Sequence, residues 1–245
     1  MQRSNAYILI YTIILTVVCG VVLATASMGL KPLQEANKEL EKKTNIISTV
    51  MSTEGMDKKQ VVETYNTRVN DFVVDYNGKK IEGKKGGEID VAKEYKKPLE
   101  ERMFPVYEIK SESNPDQIEY YVVPVFGFGL WNNIWGFVSL KSDLNTINGV
   151  RFQHTGETPG LGARIADDEA VPSRYIGKKL FDEKGELKSV VMQKGEGNNY
   201  DNEPHKVDGM SGATLTGKGV NNMLADYFKA YQNYFKSINT TTTLK

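Results

Sequence analysis

The sequence predicts an α+β protein in which an N-terminal transmembrane helix precedes a domain of mainly antiparallel sheet covered by helices. Three observations carry this prediction. An uncharged apolar run fills residues 6–30, short β-rich runs recur between residues 72 and 193, and an amphipathic pattern spans residues 218–236. Strands and helices do not alternate along the chain, which favours antiparallel pairing.

The composition excludes two classes of function. The 245 residues include 31 basic and 31 acidic side chains, so the chain lacks the basic surface expected of a nucleic-acid-binding protein. Cys19 is the single cysteine, and only His154 and His205 could join it at a metal. We therefore expect no nucleic-acid partner, no internal disulfide and no metal site.

The apolar run AYILIYTIILTVVCGVVLATASMGL is long enough to cross a bilayer as a helix. A cleaved signal peptide is the alternative, because residues 24–26 offer a small-residue cleavage site, but the run exceeds the roughly 7–15 apolar residues of a signal h-region. We assign residues 1–30 to a transmembrane anchor. Arg3 precedes the span and four lysines follow it, yet long folded domains translocate largely regardless of charge, so charge alone does not orient the anchor.

Polar helical patterns follow the anchor. Residues 31–51 place Leu33, Leu40, Ile47 and Val50 at helix-compatible spacings, and DKKQVVETYNTRV at residues 57–69 predicts a second, short helix. We interpret residues 31–70 as a helical stalk with a solvated charged face. The folded domain is predicted at residues 71–238, and residues 239–245 are predicted to form a flexible tail.

The domain begins with a hairpin signal, Asn77-Gly78 inside FVVDYNGKKI at residues 72–81. Five more runs predict strands, and the amphipathic pattern at 218–236 predicts the last helix. The strand candidates are FPVYEIK (104–110), YYVVPVF (120–126), IWGFVSL (134–140), INGVRFQ (147–153) and LKSVVMQ (187–193).

The stretch VDGMSGATLTGKGV, residues 207–220, has two incompatible interpretations. From Gly212 it resembles a nucleotide-binding P-loop, but Gly219 stands where the magnesium-binding Ser or Thr is needed, and the preceding residues predict a polar loop without a strand. A simpler possibility is that Ser211, Thr214 or Thr216 caps the following helix.

The second interpretation starts at Asp208. D-G-M-S-G-A-T, residues 208–214, resembles the flavinylation sequence of the covalent-FMN subunits of sodium-translocating NADH:quinone oxidoreductases (Nqr) and their Rnf relatives. The resemblance implies that a periplasmic flavin transferase joins the FMN phosphate to Thr214. Gly212 and Ala213 leave that hydroxyl uncrowded, and a helix N-terminus, helped by Lys218, would suit the phosphodiester.

Two further stretches extend the resemblance. HTGETPGLGARI, residues 154–165, resembles the E-T-P-G-L-G loop of FMN-binding domains, and GFGLWNNIWGFVSL, residues 127–140, resembles the Nqr segment more than the Rnf one. Glycines and Pro159 would bring backbone close to a ligand, and Trp131 and Trp135 could flank a flavin. An ordinary strand connection and ordinary core packing are the alternatives for these two stretches.

The resemblance implies the NqrC family, whose members carry FMN in an Nqr complex of the inner membrane. It further implies one anchoring helix, an FMN domain facing the periplasm, and other Nqr subunits as partners. Electrons would pass through the covalent FMN, which leaves no catalytic side chain to assign. The equivalent flavin-carrying protein of an Rnf complex and a flavin-free anchored binding module are the alternatives.

Some residues of the domain are harder to assign. Lys194 is a candidate neighbour of the flavin pyrimidine or a surface lysine. The insert 196–204 and His205 have no predicted role. The predicted FMN-binding residues are Thr214 (covalent), Asp208, Met210, Ser211, Gly212, Ala213, Glu157, Thr158, Gly160, Leu161, Gly162, Leu130, Trp131 and Lys194.

Overall fold

The structure is a computed structural model that describes residues 4–243, with side chains described up to residue 238. Arg3 and the last two residues of the predicted tail lie outside the described residues. The helices are α1 (Asn5–Ser48), α2 (Lys58–Arg68), α3 (Val91–Glu94), α4 (Arg164–Asp167), α5 (Ala170–Ser173) and α6 (Thr214–Thr243). The strands are β1 (Val69–Val74), β2 (Phe104–Lys110), β3 (Ile118–Phe128), β4 (Asn133–Lys141), β5 (Ile147–His154), β6 (Val191–Met192) and β7 (Lys206–Val207).

The chain divides into two compact units, one up to Lys42 and one from Lys43 onward. The first unit is the N-terminal part of α1, which is the one helix of the described chain long and apolar enough to cross a membrane. Its large apolar side chains are exposed. Helix α1 continues through Pro32, so the predicted anchor and the start of the predicted stalk form one helix.

The second unit starts earlier than the domain boundary placed at residue 71. Ile46, Ile47 and Tyr65 are buried in one apolar cluster with residues of β2, β3 and β4. Helix α2 is fixed at its start by a capping box, in which Asp57 and Gln60 each accept the other's backbone N–H at 2.8 Å. The later part of the predicted stalk therefore packs on the sheet, because its apolar residues have a sheet face to cover.

Strands β1 to β5 form one antiparallel sheet in sequential order, which confirms the predicted fold class. Successive residues of each strand point to opposite faces. Val123 and Val138 pack in the main core with α6, whereas their neighbours Val122 and Phe137 pack in the smaller cluster beneath residues 43–69. Both faces of the sheet are thus covered. The amphipathic helix predicted at 218–236 covers the face that carries the main core.

Three local predictions need correction. Asn77-Gly78 does form a tight turn, with φ +80° at Gly78, but it closes a single bridge between Val74 and Lys80 because β1 pairs with β2 instead. The predicted strand 187–193 is reduced to β6. Strand β6 pairs in parallel with β7, so the expectation of no strand before Asp208 was wrong.

The P-loop interpretation also conflicts with the fold. Residues 214–217, which in a P-loop belong to the loop around the phosphate, already lie inside α6, and the N–H of Gly217 donates a helical hydrogen bond to the carbonyl of Ala213. Helix α6 starts earlier than predicted, at Thr214, and its backbone runs on to Thr243, into the segment predicted as a tail.

Candidate functional site

The N-terminal half of α6 packs directly on the end of β3, and glycines make this approach possible. A Cβ atom at Gly219 would lie 2.3 Å from the carbonyl oxygen of Phe128, and one at Gly127 would lie 2.9 Å from Cβ of Met223. Neither distance is compatible with a side chain at the glycine. The helix that begins at Thr214 therefore packs closely against the end of β3, the strand that precedes Leu130 and Trp131.

Glu157 joins three segments of the predicted site. Its carboxylate accepts the backbone N–H of Trp131 at 2.9 Å and the hydroxyl of Thr216 at 2.5 Å. Glu157 is 4% exposed and Thr216 1% exposed, so this contact is inside the protein. A Cβ at Gly129 or Gly162 would fall within 2.6 Å of the same carboxylate, which explains the glycines on either side.

The stretch of residues 208–213, here called the attachment loop, lies against the E-T-P-G-L-G loop. Gly212 has φ +73°, and a Cβ there would lie 2.8 Å from a methyl carbon of Leu161. The E-T-P-G-L-G loop is itself a tight turn, in which the carbonyl of Thr158 accepts the N–H groups of Leu161 and Ala163, both at 3.1 Å. The left-handed backbone of Gly212 and this turn bring the two loops into contact.

The three hydroxyls predicted as possible helix caps have different surroundings. Ser211 and Thr214 are exposed, whereas the Thr216 hydroxyl is used by Glu157 and does not cap the helix. Met210 and Ala213 are buried in the main core, so the attachment loop is anchored by these two side chains. Thr214 is the first residue of α6 and presents its side chain on the surface.

Charged residues outside the attachment loop make hydrogen bonds to its backbone. The sequence-based predictions missed this cluster. The Glu196 carboxylate accepts the Ser211 N–H at 3.0 Å, two bonds from Arg164 at 2.6 and 2.9 Å, and one from Arg174 at 3.0 Å. Arg174 also donates to the carbonyl oxygens of Asp208, at 3.2 Å, and Gly209. The contacts from Arg164, Ser211 and Arg174 hold the pKa of Glu196 far below its usual range.

Asp208 faces the insert that precedes β7. Its carboxylate accepts the N–H of Gly197 at 2.7 Å and that of Asn198 at 3.2 Å. Burial raises the pKa of Asp208, but these hydrogen bonds outweigh burial, and the pKa is lowered. His205, which had no predicted role, makes a 2.7 Å hydrogen bond through Nδ1 to the carbonyl of Lys179 and so helps to fix the end of the insert.

Exposed apolar side chains lie on the segments that converge at Thr214. Trp131 is 68% exposed, and its indole N–H donates to the Thr158 hydroxyl at 3.2 Å; Trp135 is partly buried against the main core. Lys194 is exposed in the segment that passes Gly209, where a Cβ would lie 2.0 Å from the carbonyl oxygen of Gln193. The other exposed apolar residues of these segments are Phe128, Leu130, Leu161 and Leu215.

Comparison with known proteins agrees with this geometry. Residues 129–229 match the family model of the FMN-binding domain, a range that includes Leu130 and Trp131, the E-T-P-G-L-G loop, Glu196 and the attachment loop. The chain is 32% identical to the NqrC subunit of the Na+-translocating NADH-quinone reductase of Pseudomonas aeruginosa, over 91% of either chain. The chain belongs to the NqrC family. The NqrC of Neisseria meningitidis serogroup B is 34% identical, over 90% of this chain and 88% of the relative.

Solved structures of the NqrC family have the same fold. The crystal structure of NqrC from Parabacteroides distasonis superposes with a TM-score of 0.71 at 34% identity, over 84% of this chain and 96% of that one. The Shewanella oneidensis NqrC gives the same TM-score at 26% identity, over 84% and 99% of the two chains. The resemblance drawn from the D-G-M-S-G-A-T and E-T-P-G-L-G stretches is confirmed for the NqrC family.

In this member of the NqrC family, the fold brings the predicted site residues into one region. Glu157, Gly162, Met210 and Ala213 form its buried side, and Asp208 is half-buried beside the insert. Among the residues that the structure describes, no group of three or more His, Cys, Asp or Glu side chains could hold a metal ion. The exposed members are Leu130, Trp131, Thr158, Gly160, Leu161, Lys194, Ser211, Gly212 and Thr214.

Proposed function

We propose that this chain is the FMN-carrying electron-transfer subunit of a Na+-translocating NADH-quinone reductase, with FMN bound through its phosphate to Thr214. The single observation that carries the proposal is the exposed side chain of Thr214 at the first residue of the 30-residue helix α6. Hydrogen bonds to Glu157 join the start of this helix to the E-T-P-G-L-G loop and to the segment of Trp131. Family membership supports the same conclusion.

The residues present fit the parts of FMN. The first turn of α6 has backbone N–H groups without helical partners and the positive end of the helix dipole, both of which suit a phosphodiester. Lys218, exposed one turn further on, adds a positive charge. Leu130, Trp131 and Leu161 provide exposed apolar and aromatic surface for the flat isoalloxazine ring.

The attachment step follows from the chemistry of an ester between phosphate and hydroxyl. The Thr214 hydroxyl oxygen would form the bond to the FMN phosphorus as a phosphoanhydride bond of a flavin dinucleotide donor breaks. A nucleoside monophosphate would leave, and the hydroxyl proton would pass to solvent or to a base of the transferase. No electrons are gained or lost. The protein gains the mass of FMN minus one water.

The bound FMN supplies an electron carrier whose potential depends on packing, hydrogen bonds and nearby charge. The chain's own residues would hold the ring and phosphate in place: Trp131 is held by Thr158 and Glu157, and Thr214 by the seat of α6 on β3. This protein would accept and pass electrons, while other subunits of the complex would bind NADH, reduce quinone and export sodium.

We place the protein in the inner membrane by α1, with the FMN domain on the periplasmic side, where the flavin transferase would act. The apolar length of α1 supports the anchor, and the need for the transferase supports the side. Protease added to intact spheroplasts should remove the domain and leave a short protected fragment. A fully protected domain would contradict this orientation.

Two alternatives are weaker. The equivalent flavin-carrying protein of an Rnf complex would have the same kind of attachment site, but the relatives in Pseudomonas and Neisseria are NqrC proteins matched over about nine-tenths of their length. A flavin-free binding module would not need an exposed threonine at the helix start, nor an FMN-binding family match across it.

The test is the intact mass of the full chain produced with and without a co-expressed flavin transferase. We expect a mass increase of FMN minus water only with the transferase, and loss of that increase in Thr214→Val. Ser211→Ala removes the other exposed hydroxyl of the motif and should be labelled normally. If Thr214→Val still gains the FMN mass, or if a Ser211→Ala variant of normal stability does not, then Thr214 is not the attachment residue.

A further inference from the structure

Residues 195–204, here called the strap, run alongside the attachment loop and are fixed to the protein at several points. Asp208 accepts the backbone N–H groups of Gly197 and Asn198. Lys178 donates to the carbonyl oxygens of Tyr200, at 2.5 Å, and Glu203, at 3.0 Å. The strap is therefore an ordered element, although its polar sequence suggested only an unassigned insert.

Glu196 is the strap residue that reaches the backbone of the attachment loop. Its Oε2 accepts the N–H of Ser211 at 3.0 Å, and its Oε1 accepts Arg174 at 3.0 Å. Arg174 in turn donates to the carbonyl oxygens of Asp208 and Gly209. One carboxylate and one guanidinium thus fix the backbone of three residues, Asp208, Gly209 and Ser211, in the loop that directly precedes Thr214.

The attachment loop needs such external contacts because its own sequence resists a single conformation. Gly209 and Gly212 have no side chain to restrict the backbone, and Gly212 occupies the left-handed region at φ +73°. An enzyme that joins phosphate to a hydroxyl depends on the position of that hydroxyl, and small displacements reduce the rate strongly. A loop fixed before the transferase binds would not have to be ordered during the reaction.

We propose that Glu196 is a positioning residue for flavin attachment: by holding the Ser211 amide and Arg174, it fixes the attachment loop so that Thr214 is presented to the flavin transferase. This inference rests on the proposed function and adds a specific role for the strap. Glu196 touches neither Thr214 nor the flavin in this proposal. It acts through the backbone of the loop.

Asp168 provides a matched control within the same cluster. It accepts hydrogen bonds from Arg164 at 2.9 and 3.1 Å, and from the Ala170 N–H at 3.0 Å. The Asp168 and Glu196 side chains are 33% and 25% exposed. Losing the ion pair of Arg164 with Asp168 should therefore affect stability about as much as losing its ion pair with Glu196. They differ in that Glu196 binds the Ser211 amide and Arg174.

The experiment measures the initial rate of covalent FMN incorporation into the detergent-solubilised full chain by purified flavin transferase, using in-gel fluorescence. We expect Glu196→Gln to lower the maximal rate by about tenfold or more, because a mispositioned hydroxyl lowers turnover. Asp168→Asn should stay within about twofold of wild type, since a partly exposed ion pair away from the loop contributes little. Amide hydrogen exchange should be faster at Ser211 in Glu196→Gln only.

The outcomes separate this inference from the proposed function. A labelled wild type with an unchanged rate in Glu196→Gln overturns the positioning role alone. Equal losses in Glu196→Gln and Asp168→Asn, with equal drops in melting temperature, also overturn it, because they indicate general destabilisation. An unlabelled wild type overturns the proposed function and this inference together.

Discussion

The Glu157 carboxylate accepts the hydroxyl of Thr216 across 59 residues of sequence, at 2.5 Å and within the protein interior. Glu157 belongs to the E-T-P-G-L-G loop and Thr216 to the first turn of α6. This hydrogen bond therefore joins the E-T-P-G-L-G loop to the helix that begins at Thr214. Burial makes the bond important, because a buried carboxylate that loses a donor keeps its desolvation cost.

Thr214→Val and Thr216→Val should therefore have opposite effects. Thr216→Val should lower the free energy of unfolding by about 1–3 kcal/mol, since it removes a donor from buried Glu157, yet the folded fraction should still carry flavin. Thr214→Val should change stability by no more than about 0.5 kcal/mol and abolish covalent flavin, because Thr214 is exposed. Thermal melts and in-gel fluorescence measure the two properties. A normal melt for Thr216→Val would show that its bond to Glu157 contributes little.

Two glycines of α6 offer a test of the seat on β3. Gly219→Ala would place a Cβ 2.3 Å from the backbone oxygen of Phe128 and should lower stability by about 1–3 kcal/mol. Gly217→Ala meets only the flexible Met192 side chain, at 3.0 Å, and gains up to about 1 kcal/mol of helix propensity, so it should be neutral or stabilising. Melting temperatures of the two variants check this order. If Gly219→Ala is as stable as Gly217→Ala, the close approach of helix and strand is wrong.

The contribution of Asp208 to stability should depend on pH. Its pKa is lower in the folded protein than in the unfolded chain, so its hydrogen bonds stabilise the fold above the unfolded pKa of about 3.9 and are lost as pH falls through the folded pKa. Comparing wild type with Asp208→Asn cancels the other carboxylates. The difference in melting temperature should be constant from about pH 7 to 5 and shrink below about pH 4. A difference that persists unchanged in acid would contradict this role.

Tryptophan fluorescence can test which aromatic side chain lies beside the flavin. The chain has two tryptophans, exposed Trp131 and partly buried Trp135, so each single replacement leaves one reporter. In Trp135→Phe, flavin attachment should quench the emission of Trp131 strongly, because we expect that ring to contact the isoalloxazine. In Trp131→Phe, the quenching of Trp135 should be weaker. The reverse order would assign Trp135 to the flavin and Trp131 to the surface.

The strands and the family resemblance were predictable because their signals are local. The short apolar and aromatic runs that form β2 to β5, and the hydroxyl and glycine pattern of residues 208–214, can be found in a few consecutive residues. The Asn77-Gly78 signal was also local, and it did predict a turn. It could not predict that β1 would pair with β2, since partner choice depends on the whole sheet.

By itself, the sequence determined the long apolar N-terminal helix, the antiparallel class and the threonine proposed to carry FMN, because periodicity and motif chemistry are properties of adjacent residues. Only the tertiary structure decided that residues 43–69 cover one face of the sheet, that Glu157 faces inward to Thr216, and that Glu196 reaches Ser211. These contacts join residues far apart in the chain. The physical reason is that burial and charge pairing depend on which distant segments the fold brings together. A local sequence pattern does not encode which segments will meet.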